Sequence, residues 1–591
     1  KYIIFGTFFF NNEYFNSEKL NQKKIYNILS TKNLTKIINN FDGKFVIIKI
    51  SGKNKFEIFQ DKYGKFDIYY MHSNGNFIIS SGLKFITSIP KQLKYDQAAL
   101  INVLTVYGFR PPKKHTIYEN IKRIGVGEYL EINNDKCKIK RLPLKEIKII
   151  KFNIKQNQEY SKILIESVEK RSSSKGNILY LSSGWDSTSI LAVLVKLYGP
   201  KKVRPVIGRM NFSKKHGVCN VYELKKAKKI CDYFGVKLEI TEFDYWRRGP
   251  ELAEKHKDLM KSQMMSGMAF YQWIDLARYV SKNYNGEPVL CGEISDGAHN
   301  FGFSQNASNN VHPDLNFRKY SDKMYNYIFG PSFLDKCSNK NDDLVYKFLK
   351  GTLGKKNFDD VSKNENKLKS QFLCGLFSRQ ERFPFWSLRN HKILNKAGQE
   401  IYKKEIENYY FDEISKKVTT KNLYFWYIHL YNSFHWQSGT VASIDTVAKE
   451  YNFNVEFPFR DHEMLDFLSQ MPENWGRGLE LRPTKYPLKY FLKNLIKYPY
   501  FLQEGPHSYL YDTNSNFDHG AEWIYRSAFR KRYVKLLKKR EYKDILSKKY
   551  FNLNYYDSLV DNYINNSKKF KKLDWGSDMF NLIALVDQGW Y

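Results

Sequence analysis

Cysteine is scarce in this 591-residue sequence: there are six, at positions 137, 219, 231, 291, 337 and 374, and no C-x-x-C pair. That excludes a disulfide framework and a zinc ribbon, and it suits a reducing, cytoplasmic setting. No run of about 18 apolar residues occurs, so no membrane-spanning helix is expected. The apolar opening KYIIFGTFFFNNEYF turns polar too soon for a span, and it lacks a basic leader and a small-residue cleavage site. It reads as a strand. There is no G-x-x-x-x-G-K-[ST], which excludes a Walker A loop. None of the 12 histidines sits in a nucleophile motif, which argues against a Ser-His-Asp hydrolase. Acidic residues are outnumbered, 61 against 96 Lys and Arg, for a net charge of +35. Such a balance attracts anions and invites a nucleic-acid reading. The lysines are spread along the whole chain among abundant Asn, Ile, Tyr and Phe, however, as an AT-rich coding bias would leave them, so nucleic acid is not the expected partner.

What is present is enough for two or three globular domains, with 42% apolar and 16% aromatic residues. The stretch that organises them is Asn177 to Leu197, NILYLSSGWDSTSILAVLVKL. Ile178 to Leu181 is a short apolar run of the kind that makes a buried parallel strand. Ser182-Ser183-Gly184-Trp185-Asp186-Ser187-Thr188 is a tight polar turn. Ile190, Leu191, Leu194 and Leu197 then fall at helical spacing. Strand, small-residue turn and helix N-terminus together form a phosphate cradle: backbone N–H groups approach the anion and the helix dipole favours it. The turn resembles the SGGxDS pyrophosphate loop of the N-type ATP pyrophosphatases, with Ser183 standing where that family has Gly and adding a Cβ.

Residues 1 to about 140 read as β-rich, with strands expected over 44–50, 56–60, 67–71 and 76–80 and a hairpin at Asn74-Gly75. FDGKFVIIKI, QDKYGKFDIYYM and FIISSGLKFI resemble segments of the glutaminase domain of asparagine synthetase, and His115 to Ile132 resembles the segment that closes that domain. The family's glutaminase uses an N-terminal Cys as nucleophile. Here residue 1 is Lys and the first cysteine is Cys137, so the front domain is expected to be a glutaminase relic.

After a basic connection over 140–158, strands and helices alternate: a helix over 159–171, a strand at 202–207, a helix at 223–234 and a strand at 236–243. This predicts a parallel sheet with ligands at the carboxyl ends of its strands. Two later segments resemble the asparagine synthetase family. EPVLCGEISDGAHNFGF (287–303) matches its GE-and-acids motif through Gly292-Glu293 and Asp296, with Gly297 in place of a second acid. NVEFPFRDHEMLDFLSQMPENW (454–475) and PTKYPLK (483–489) match its later text, placing Lys485 where the family directs a lysine at the phosphates. FPFWSLRN (383–390) and YFWYIHLYNSFHW (424–436) are either pocket lining or plain core, and 342–349 reads as helical.

The resemblance implies an α+β, Ntn-type glutaminase-like sandwich over 1–145. An α/β doubly wound ATP pyrophosphatase domain over 155–591 follows, with a helical C-terminal part and an insertion at about 306–423. It implies that ATP is held by Leu181, Ser182, Ser183, Gly184, Asp186, Ser187, Ile207, Gly208 and Gly292, and Mg²⁺ by Asp186 and Asp296, with Lys485 and Glu293 catalytic. The expected activity is adenylation of a carboxylate and its transfer to an amine or ammonia, as in relatives that lack the glutaminase cysteine. Those are the β-lactam synthetases, which have Tyr where this chain keeps Glu293, and the lasso-peptide cyclases, which act on a peptide. Two alternatives stay open: amidation of a small molecule or sugar acid with ammonia from a partner protein, and a non-catalytic or nucleic-acid-binding relative.

Overall fold

The structure, a computed structural model, describes all residues except 303–314, 339–343, 345–346, 348–363, 378–383, 385–391, 505–521, 566–577 and 588–591, and short breaks at 12, 20, 31–32, 74–75, 91, 107–109, 135, 215–216, 266–269 and 481. The Asn74-Gly75 turn, nearly all of FPFWSLRN and most of 342–349 therefore lie outside the described residues.

Among the described residues, the front of the chain forms nine strands: β1 (Tyr2–Phe10), β2 (Glu13–Asn16), β3 (Asp42–Gly52), β4 (Lys55–Gln60), β5 (Tyr69–Ser73), β6 (Asn76–Ser80), β7 (Lys122–Arg123), β8 (Glu128–Asn133) and β9 (Lys136–Arg141). They make a six-stranded sheet in the order β2-β1-β3-β4-β8-β9 and a three-stranded sheet β6-β5-β7. β5 and β6 pair Ser73 with Asn76, so the flanks of the expected hairpin are in place. The period of two along β3 explains the layering. Phe45 and Ile47 enter one apolar cluster with Leu29, Leu34 and Ile38. Val46 enters another with Ile68, Ile124 and Leu130, against which Tyr70 and Ile79 of the small sheet pack. Tyr69 and Met71, the alternate residues of β5, join a third core that is continuous with the rest of the molecule.

Helix α1 (Ile154–Glu169) opens the second part, beginning before the expected residue 159 because Asn153 and Gln156 close a capping box there. β10 (Asn177–Tyr180) and α2 (Trp185–Tyr198) follow as the apolar pattern predicts. Next come β11 (Val203–Ser213), β12 (Gly217–Val218), α3 (Val221–Tyr233), β13 (Glu239–Asp244), α4 (Tyr245–Ser262), α5 (Phe270–Asn283), β14 (Val289–Cys291), α6 (Ser295–Asn300), α7 (Leu423–Tyr431), β15 (Val455–Glu456), α8 (His462–Gln470) and α9 (Tyr486–Tyr490). β13, β11, β10, β14 and β15 are parallel neighbours in that order, and β12 folds back antiparallel on β11. β10 is buried along its whole length, as a strand covered on both faces must be. The described part of the last eighty residues is helical.

The two parts are locked by charge as well as by the shared core. Asp42, at the start of β3, accepts from Lys65 Nζ at 2.6 Å and from Arg171 Nη2 at 2.5 Å. Arg171, two residues beyond α1, also reaches Asp461 at 2.8 Å. Burial raises the Asp42 carboxyl, but Lys65, His462 and Arg171 outweigh it and hold the group well below the usual carboxylate range.

Candidate functional site

β10 and β14 are adjacent, with Tyr180 opposite Cys291, so the loops leaving their carboxyl ends emerge at one level. From β10 the chain builds outward through β11 and β13, then returns to place β14 on the other side. Such a reversal of strand order opens a crevice between the two loops.

The first loop is held by its own serines. Ser187 Oγ accepts from Ser182 N and donates to Ser182 O, both at 3.1 Å, and Gly184 N donates to Ser182 Oγ at 3.1 Å. Ser182 is exposed, while Ser183 is fully buried and its hydroxyl meets no hydrogen-bond partner. The Cβ that replaces glycine thus lies within the protein, off the open side of the loop. The first turn of α2 leaves N–H groups without helical acceptors, and Lys489 Nζ stands 5.0 Å from the Trp185 ring beside it.

The second loop approaches the first closely. A Cβ on Gly292 would fall 2.9 Å from Ser187 N and 3.2 Å from Ser187 Cα, so any side chain there would force the two loops apart. Ile294 follows with φ 84° and ψ −39°, a conformation that a β-branched residue adopts at a cost of about 1–3 kcal/mol and keeps only under constraint. Its side chain is buried, which supplies that constraint and turns Ser295 and Asp296 back toward α2.

Lys485 comes from a third segment, at a left-handed residue (φ 56°) just before α9. Its Nζ donates to Asp186 Oδ2 at 2.6 Å and also pairs with Asp296 Oδ1. Ser295 Oγ donates to Asp186 Oδ1 at 2.6 Å. Burial opposes the ammonium of Lys485, yet Asp186 and Asp296 outweigh it and lift its pKa above the lysine range. Burial raises the Asp186 carboxyl, Lys485 pulls it down, Asp296 pushes it up, and the net shift is upward. Glu293, partly buried, is pushed up to about 7 by burial and by Asp296 and Asp186, against Lys485. Two carboxylates thus share one ammonium, with the Glu293 carboxyl close enough to feel both, an excess of acidic groups suited to a further cation.

Leu181, one residue past β10, and Ile207 on β11 are both buried, and Leu181 N donates to Val206 O at 2.9 Å, which holds the start of the loop against β11. The Gly208 carbonyl is taken by Asn220 Nδ2 at 2.9 Å.

Gly297, where the sequence departs from the expected pair of acids, is also explained. A Cβ there would lie 3.0 Å from Tyr431 Cε1 and 3.1 Å from Trp436 Nε1, so these aromatics occupy the space an acidic side chain would need. The 424–436 aromatic run is therefore core for most of its length, with one edge against this loop.

Two protein-family models match the chain: a glutamine amidotransferase domain over residues 27–142 and asparagine synthase over residues 159–585. The chain belongs to the asparagine synthase family. As a member of that family it is an ATP-dependent carbon–nitrogen ligase of the AMP-forming kind, with an amidotransferase-like domain in front. No curated protein matches it. No helix among the described residues is long and apolar enough to cross a membrane.

Sequence reasoning missed several groups that this asparagine synthase family member places around the site. His299 Nε2 lies 2.8 Å from Tyr160 OH, and its Nδ1 lies 2.9 Å from Ser295 O. Arg477, fully buried, donates to the carbonyls of Ala298 and His299 at 2.7 and 2.8 Å, and its guanidinium stands 4.3 Å from the Tyr424 ring centroid. It thereby holds the end of α6. Ser295 could have been noticed as the hydroxyl between two acids, but nothing local singles out Tyr160 or Arg477.

Proposed function

We propose that the protein adenylates a carboxylate with ATP, releasing pyrophosphate, and passes the acyl group to an amine or ammonia without hydrolysing glutamine itself. The observation that carries this reading is the convergence of Asp186, Asp296 and Lys485 from three segments that together span about 300 residues of sequence. We read the front domain as a degenerate Ntn-type sandwich and the parallel sheet as doubly wound, the arrangement the resemblance implies.

The residues fit Mg²⁺. Magnesium takes oxygen ligands and commonly one or two carboxylates, with phosphate and water completing the shell. Asp186 and Asp296 already share one cation, the Lys485 ammonium. No cluster of three or more His, Cys, Asp or Glu ligands occurs among the described residues, so substrate phosphate has to contribute. Bound there, the metal would neutralise phosphate charge and act as a Lewis acid. The loop serines and the N–H groups of α2 hold the phosphates. Lys485 stabilises the negative charge that develops on the departing pyrophosphate. Glu293, with a pKa near neutrality, accepts the proton that an attacking amine must lose.

The absence of glutamine hydrolysis is supported by the cysteines. Five of the six are buried, and Cys137 on β9 is half-buried with its thiol raised by burial, the reverse of an activated nucleophile.

The test is ATP turnover with product analysis over a panel of carboxylates and amines, with the Asp186→Asn protein alongside. AMP and pyrophosphate, dependent on Mg²⁺ and one acid and lost in the variant, support the reading. ADP and phosphate refute it, and glutamate formed from glutamine refutes the claim about the front domain.

A further inference from the structure

A buried hydrogen-bonded chain runs from α1 to the site and takes no part in the chemistry proposed above. Its direction follows from atom types. The Ser295 carbonyl, 2.9 Å from His299 Nδ1, can only accept, so Nδ1 carries the hydrogen. The lone pair of Nε2 then faces Tyr160, whose hydroxyl donates across 2.8 Å. The Ser295 hydroxyl, 3.1 Å from Nδ1, is free to accept there because its own hydrogen points to Asp186 Oδ1 at 2.6 Å. Every donor in the series thus points toward Asp186. Tyr160 and His299 are both fully buried, so water does not compete for these bonds. With Oδ1 held by Ser295, Asp186 presents Oδ2 to Lys485 at 2.6 Å, on the side where the two carboxylates meet.

We propose that Tyr160 and His299 are positioning residues that fix, through Ser295, the orientation in which the Asp186 carboxylate receives magnesium-bound ATP. The inference rests on the function proposed above. It assigns a role to side chains that touch neither substrate nor metal, and groups that orient a ligating carboxylate commonly change metal affinity by about 10- to 100-fold when removed.

The experiment measures ATP binding to the full-length protein by calorimetry across a Mg²⁺ titration, with thermal melting as the control for folding. Tyr160→Phe/His299→Leu removes both ends of the inner bond together, so neither buried polar group is stranded. We expect its half-saturating Mg²⁺ to rise by about tenfold with the melting temperature little changed. Tyr160→Phe/His299→Asn returns an N–H donor near the Nδ1 position and should come back to within about twofold of the wild type. Ser295→Ala, which cuts the chain next to Asp186, should reproduce the tenfold shift and abolish any further effect of the double substitution. Should the Leu variant fail to fold, Ser295→Ala alone decides. An unchanged Mg²⁺ dependence in Ser295→Ala, or equal losses with Leu and Asn at 299, overturns the proposal. A wild-type protein that binds no ATP in Mg²⁺ refutes the functional reading as well, and is recognised by occurring before any substitution is made.

Discussion

Replacing Lys485 by Met should destabilise the protein in a manner that depends on pH and on magnesium. The ammonium is the cation shared by Asp186 and Asp296, whose side chains are 18% and 23% exposed. Removing one partner of a buried pair costs about 3–5 kcal/mol, because it leaves charge uncompensated. Here the loss has a ceiling. A stranded carboxylate can take up a proton, and at pH 7 that costs about 1.4 kcal/mol for each unit above its ordinary pKa near 4, roughly 4 kcal/mol in all. The expected loss in EDTA at pH 7 is therefore about 3–4 kcal/mol, shrinking to about 1.4 kcal/mol at pH 5 and toward zero near pH 4. Mg²⁺ should restore about 2.7 kcal/mol at one hundred times its dissociation constant. Urea unfolding of wild type and variant, in EDTA at pH 7 and 5 and in Mg²⁺ at pH 7, tests each figure. Pyrophosphate release should fall by about 10²- to 10³-fold, as when one preorganised donor is lost from a developing anion. A variant as stable as the wild type in EDTA at pH 7, with no response to Mg²⁺, would show that the two aspartates do not share a cation.

Two further outcomes follow from the same structure. Gly292→Ala should weaken Mg²⁺-dependent ATP binding by tenfold or more by calorimetry, since its Cβ would stand 2.9 Å from the Ser187 backbone nitrogen of the first loop, with about 1–3 kcal/mol of overpacking visible in melting; unaltered affinity would contradict the close approach of the loops. His429, in the cavity of about 220 Å³ between the two domains, is pushed down to about 3 by burial and by Arg141 and Lys417. The unfolded chain therefore takes up a proton below about pH 6.5 that the native state refuses, and stability present above that pH is lost as pH falls toward 3. His429→Phe keeps the edge-on contact with Trp426 at 5.4 Å and should flatten the pH–stability slope by about 1.4 kcal/mol per unit over that range; an unchanged slope would mean that His429 is not held neutral.

The two loops of the candidate site were legible in the sequence because each is a local device. Strand, small-residue turn and helix follow one another within twenty residues, and Gly292-Glu293 and Asp296 sit in a second such run. β3 was legible for the same reason, its alternation needing only neighbours to be read. What the sequence hid depends on contacts across the fold. Tyr160 and His299 meet over 139 residues and Asp42 and Arg171 over 129, and no periodicity announces such pairs. Gly297 reads as a missing acid until Tyr431 and Trp436 are seen to fill its place. Ile294 is the opposite of a turn signal by composition, and its backbone is imposed by the burial of its side chain between two anchored loops.

The bond between Asp42 and Arg171 bears on how such a protein can change over generations. A domain joined by a flexible tether can be dropped once its chemistry is no longer used. This one cannot be dropped so simply: without it Arg171 and Asp461 would lose the partner that completes their buried cluster, and Tyr69, Met71, Leu100 and Ile117 would be stripped from a core that the ligase domain treats as its own. The fold of the ligase domain is thereby tied to the presence of the front domain, whatever activity that domain has.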